Sequence, residues 1–130
     1  MIKIYVTKQG NFGVSVPRLK SSLTEFLEKE GIVSDSDVSV SIVGEAKMLN
    51  LAKKYLNEKN TVHNVLSFPS AEVKGEFKEP PDKILHLGEI VLCFPKVVEE
   101  SNQEGVLIDD KVIELVTHGA LHLMGKHHEE

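Results

Sequence analysis

Apolar and polar residues alternate from Met1 to Thr7, and this period of two predicts an opening strand that ends in a turn at Gln9-Gly10-Asn11. The period then changes. From Pro17 to Glu30, Leu19, Leu23, Phe26 and Leu27 recur at helical spacing, Pro17 suits a first turn and Gly31 supplies the stop, predicting an amphipathic helix. Asp37 to Val43 alternates again and reads as a half-buried strand closed by Gly44. Glu45 to Leu56 carries Ala46, Leu49, Ala52, Lys53 and Leu56 at helical spacing and predicts a second surface helix. Val65 to Phe68, ahead of Pro69, reads as a short strand. The polar stretch from Ser70 to Asp82, with Gly75 and Pro80-Pro81, reads as an exposed loop. Leu87 to Phe94 is a buried strand that Pro95 stops, and Val97 to Gln103 a short helix. The last helix runs from an Asp109 cap to Gly125. Val112, Ile113, Leu115, Val116, Ala120, Leu121, Leu123 and Met124 make it apolar on nearly all sides, so it is expected to be central. Helices and strands interleave unevenly, which favours an α+β architecture and leaves the strand order open.

A chain of 130 residues has room for one packed core, so a single domain over residues 1–130 is expected. Hydrophobic residues at 41% and charged residues at 27% are enough to bury that core and keep the surface solvated. The net charge of -5, with Arg18 as the only arginine, excludes a broad basic footprint for duplex nucleic acid. Any contact with nucleic acid has to be local, with Lys3, Lys8, Lys53, Lys54 and Lys126 as candidates. Cys93 is the only cysteine, so no intrachain disulfide can form and a reducing, cytoplasmic setting is expected. No apolar run approaches the roughly 20 residues of a membrane span, and the amino terminus has no targeting pattern.

The chemistry concentrates at the carboxyl end, where His118, His122, His127 and His128 supply four of the six histidines. His118 and His122 are one helical turn apart, about 40° around the axis and about 6 Å along it, so both imidazoles share a face. Gly125 can then turn the chain back and bring His128 to the same point. Three imidazoles without a fourth protein ligand match the open coordination by which zinc keeps a position for water, whose pKa falls toward roughly 7. Hydrolysis is the economical reading, with no general base assigned. His63 and His86 read as turn or surface residues. A zinc-protease reading is weaker, because Gly119 stands where H-E-x-x-H carries its glutamate base.

The stretch His118-Gly119-Ala120-Leu121-His122-Leu123-Met124-Gly125-Lys126-His127-His128 resembles the hallmark H-G-x-L-H-L-x-G-Y-D-H of the YbeY endoribonuclease family. Asn64-Val65-Leu66-Ser67-Phe68-Pro69 and Leu87-Gly88-Glu89-Ile90-Val91 resemble its other motifs, so the resemblance extends from about Val38 to the end. It implies a small α+β domain with a mixed four-stranded sheet, and one zinc ion held by His118, His122 and His128. The implied activity is metal-dependent cleavage of single-stranded RNA in small-subunit ribosomal RNA maturation and ribosome quality control; the alternative is a non-catalytic ribosome-assembly module in which the ion only staples the last helix to the domain. Three departures stand out. Lys126-His127 replaces Tyr-Asp, which removes a carboxylate and makes His127 a rival third ligand. Lysines Lys53, Lys54 and Lys59 occupy a region where the family has an arginine, and cannot reproduce its bidentate hold on phosphate. Glu89 replaces an aspartate, and the plain reading of its carboxylate is as an acceptor for neighbouring backbone N–H groups.

Overall fold

A computed structural model of the chain describes residues 1–70 and 84–125. The elements are β1 (Ile2–Lys8), α1 (Val16–Lys29), β2 (Ser36–Val43), α2 (Glu45–Leu56), β3 (Val65–Pro69), β4 (Leu85–Cys93), α3 (Phe94–Glu104) and α4 (Ile108–Met124). Every element expected from the hydrophobic pattern is present. Ser15 caps α1 by accepting from the Arg18 backbone N–H at 3.3 Å, and Pro17 sits in its first turn.

The four strands lie in the order β1-β2-β4-β3. β1, β2 and β4 run parallel, and β3 pairs antiparallel to β4, placing Ser67 beside Ile90 and Pro69 beside Gly88. The alternation of each strand divides its side chains between two faces. Ile4, Val38, Val40, Ile42, Ile90 and Leu92 bury against Leu19, Leu23 and Leu27 of α1 and Val112, Val116 and Leu123 of α4. On the opposite face Val43, Leu66, Val91 and Cys93 close around Met48 of α2. Helices thus cover both sides of a mixed sheet in one small α+β domain.

Three expectations need correction. The stripe α2 buries is Met48 and Ala52, with Leu51 packed beside them, while Ala46 and Leu56 are exposed. The helix is rotated because β3 and β4 offer their apolar surface at Leu66, Val91 and Cys93. Pro95 ends β4 by opening α3 in its first turn, so that helix starts at Phe94 rather than Val97. The cap of α4 is Leu107, and the Asp109 carboxylate is turned away to accept from the Ser15 backbone N–H at 3.0 Å. It joins the start of α1 to the start of α4. The loop expected from Ser70 to Asp82 lies, beyond Ser70, outside the described residues.

One irregularity fixes the sheet near its functional edge. The register of β2 against β4 shifts between Asp37 and Ser39, where β4 inserts an extra residue at Leu87-Gly88. Gly88 takes φ +136, and a Cβ there would lie 2.3 Å from the Phe68 carbonyl oxygen and 3.0 Å from the Leu123 side chain. Only glycine fits this backbone and this contact. Gly88→Ala is expected to lower the unfolding free energy by about 2–4 kcal/mol in urea titrations followed by circular dichroism. A loss under about 0.5 kcal/mol would contradict the contact.

Candidate metal centre

α4 buries Lys111, Val112, Leu115, Val116, Gly119, Ala120 and Leu123, which leaves one exposed stripe of Asp110, Glu114, His118 and His122. The expectation of a helix apolar on nearly all sides is met except along this line. The two Nε2 atoms of His118 and His122 stand 3.1 Å apart, with ring centroids at 4.6 Å and planes at 78°. The two ring nitrogens therefore meet at hydrogen-bonding distance, close enough to share one ion. They border an open groove of about 790 Å³ whose walls include Asn64, Ser67 and Pro69 on the β3 side and Thr117, His118 and His122 on α4.

The donor set suits a transition metal. Two nitrogens bound at 2.0–2.1 Å to a tetrahedral ion stand about 3.3 Å apart, close to the observed separation. Imidazole is a borderline-soft donor that zinc accepts readily. Gly125 adopts φ 66 after α4, the left-handed turn expected of it. Among the described residues no third histidine, cysteine or acid completes the set. His127 and His128 lie outside the described residues.

The position between the histidines is set by packing. A Cβ on Gly119 would stand 3.0 Å from both Ile90 Cγ2 and Ser67 Oγ, so α4 rests directly on β3 and β4. Ser67 Oγ donates to the Gly119 carbonyl at 3.2 Å and pins the helix there. The serine of one motif thus holds the glycine of another. Any side chain at position 119 is tight against Ile90 and Ser67, which gives the departure from H-E-x-x-H a structural cause.

The groove's charge was not legible from spacing. Lys111 is buried, and its Nζ donates to Glu104 at 2.9 and 3.1 Å and to Glu114 at 3.3 Å, with Glu100 at 3.6 Å. Asn64, at the entry to β3, donates to Glu100 at 3.0 Å and extends the network across the groove wall. Hydrogen bonding to Glu104, then to Glu114, raises the Lys111 pKa against the opposing effect of burial. The i,i+3 relation of Lys111 to Glu114 was visible in the sequence; the burial of a lysine was not.

Among the described residues, the structure does not gather the candidate lysines at the histidines. Lys8 Nζ is held by the Phe12 and Val14 carbonyls, and Lys3 shares β1 with it at the far edge of the sheet. Lys53 and Lys54 are exposed on α2, which covers the other face. Lys126 lies outside the described residues. His63 pairs with Glu58 at 2.6 Å and His86 with Asp37 at 3.0 Å. Glu89 accepts from the Ser41 hydroxyl at 2.8 Å on the α2 side of the sheet, instead of from the backbone N–H groups expected of it. Cys93 is fully buried, and that burial pushes its thiol pKa up, so it presents no nucleophilic thiolate.

Because folding raises the Lys111 pKa, its contribution to stability is complete below the unfolded value of about 10.4 and is lost as pH rises through the higher native value. Lys111→Met is therefore expected to cost about 1–3 kcal/mol near neutrality, reduced from the fully buried case by the exposure of the glutamates. Urea titrations of both proteins near neutrality and above about pH 11 should show the gap narrowing. A gap independent of pH would contradict the assignment.

Comparison with known proteins extends beyond the motifs. The profile of the family described as "Endoribonuclease YbeY" matches residues 7–130. A protein named Endoribonuclease YbeY from Dehalococcoides mccartyi is 32% identical over 126 residues, covering 90% of this chain and 72% of the relative. Its namesake from Thermus thermophilus is 29% identical over 130 residues, covering 100% of this chain and 88% of the relative. The solution structure of TM1509 from Thermotoga maritima superposes with a TM-score of 0.58 at 26% identity, covering 94% of this chain and 72% of that one.

Proposed function

The chain belongs to the YbeY endoribonuclease family, hydrolases acting on RNA, and from that premise we propose that it cleaves single-stranded RNA with one zinc ion held by His118, His122 and His128. We place its action in small-subunit ribosomal RNA maturation and ribosome quality control in the cytoplasm, with that RNA and the small subunit as its partners. The observation that carries the reading is the 3.1 Å approach of the His118 and His122 Nε2 atoms at the rim of the groove.

The bound ion would supply Lewis-acid activation of water and of a phosphate oxygen. The chain's own residues provide the frame. Ser67 and Gly119 fix α4 against the edge strand, so both imidazoles are held on a packed helix rather than on a loop. The open groove beside them has room for an extended strand. The acids around Lys111 are tied to one cation, which limits their repulsion of a phosphate chain. Lys111 itself is engaged and does not serve as a phosphate anchor. No helix among the described residues is long and apolar enough to cross a membrane.

The purified protein is expected to hold one transition-metal ion per chain by elemental analysis. His118→Ala, His122→Ala and His128→Ala should each lose metal and lower cleavage of a single-stranded RNA by roughly a hundredfold or more, while His127→Ala keeps both. Metal that survives with no cleavage in the native protein would favour the assembly-module reading. Absence of a transition metal from the native protein, or unaltered cleavage in the first three variants, would overturn the site.

A further inference from the structure

The sheet ends on one side at β1, whose outer edge pairs with no other strand among the described residues. In the parallel pairing with β2, the Met1 carbonyl accepts from the Ser36 N–H at 3.0 Å and the Gln9 N–H donates to the Ile42 carbonyl at 2.9 Å. Odd-numbered residues of β1 therefore turn their backbone groups inward, and the alternation turns those of Ile2, Ile4 and Val6 outward. Among the described residues no backbone partner meets them there. Beside this edge runs a groove of about 700 Å³, walled by Ile2 to Tyr5 and by the exposed side of α1.

The charges along that side of α1 are self-complementary. Lys20, Thr24 and Glu28 follow one another at helical i, i+4, i+8 positions, all lining the groove. A two-fold rotation about Thr24 exchanges Lys20 with Glu28. The strand shows a matching relation: rotation about Ile4 exchanges Ile2 with Val6 and Lys3 with Tyr5, which is 52% exposed. Ile4 and Thr24 face the same groove, so one axis can serve both.

We propose that the β1 edge docks a second copy of this chain, antiparallel about a two-fold axis at Ile4, joining two four-stranded sheets into one of eight strands. Ile4 pairs with Ile4 of the second copy, and Ile2 with its Val6, each through outward backbone groups. Lys3 lies across from Tyr5 of the second copy, bringing a cation beside an aromatic ring. Lys20 meets Glu28 of the second copy twice over. A parallel arrangement would instead set lysine against lysine and glutamate against glutamate. The two-fold uses the edge once and closes, which stops further growth through β1. One strand pair and a polar helix contact bury little apolar area, so the association is weak.

Sedimentation equilibrium from about 10 µM to about 1 mM tests this on the full chain. A monomer–dimer equilibrium is expected. Glu28→Lys, at an exposed position, should weaken it roughly tenfold with an unchanged melting curve, and the double variant Lys20→Glu/Glu28→Lys should restore it. Ile2→Pro removes an outward N–H while sparing the ladder to β2 and should abolish the dimer. A monomer at every concentration, a larger assembly, or a dimer indifferent to Glu28→Lys would overturn the proposal. None of these outcomes depends on RNA cleavage, so they leave the functional reading to its own test.

Discussion

The contact of the α4 backbone with the sheet at Gly119 governs the geometry of the candidate centre. With no side chain at that position, the helix settles onto Ile90 and Ser67 and its rotation about its own axis is fixed. Successive residues turn by about 100°, so with Gly119 facing the sheet, His118 lies about 100° back and His122 about 60° back. Both fall on the same flank, above the groove beside β3. A larger residue would lift the helix and swing that flank away. The serine hydroxyl that reaches the Gly119 carbonyl holds the same rotation from below.

Much of this was legible in the chain itself because burial writes a period into it. The alternation of Val38, Val40 and Ile42 and the helical recurrence of Leu19, Leu23 and Leu27 identify faces that are indeed buried. The histidine pair was legible for the same reason, since four residues return a helix nearly to its starting angle. Where pattern reading failed, a long-range contact had overridden a local preference. Asp109 has the chemistry of a cap but is drawn to Ser15, and Ala46 gives way to Met48 because the sheet is apolar on that side. The partners of Glu89 and Lys111 depend on side chains far away in sequence or on burial of a residue type that is ordinarily solvated. The link from Ser67 to Gly119 joins two motifs that were each visible, through a pairing that needed the strand order.

The electrostatic picture also shifts once distances are known. An acidic chain presents a difficulty for any polyanion ligand when charges are counted by sum. Three of the acids nearest the groove surround a single buried ammonium, so their field is partly cancelled at its source. The cluster also stiffens the wall, because Asn64 ties Glu100 to the start of the edge strand. Charge neutralisation and rigidity thus come from the same atoms.

The strand order carries a consequence for how the chain acquires this structure. β4 lies between β2 and β3 but is the last of these four strands to leave the translating ribosome. Until it emerges, β3 lacks the strand it pairs with and one side of β2 stays bare, so of these pairings the early chain can complete no more than β1–β2. Closure of the sheet waits on contacts of high sequence separation, which slows the search for the native topology. The helix that bears the histidines then docks onto a platform assembled just before it, and nascent chains halted short of β4 expose the apolar edge on which chaperones act.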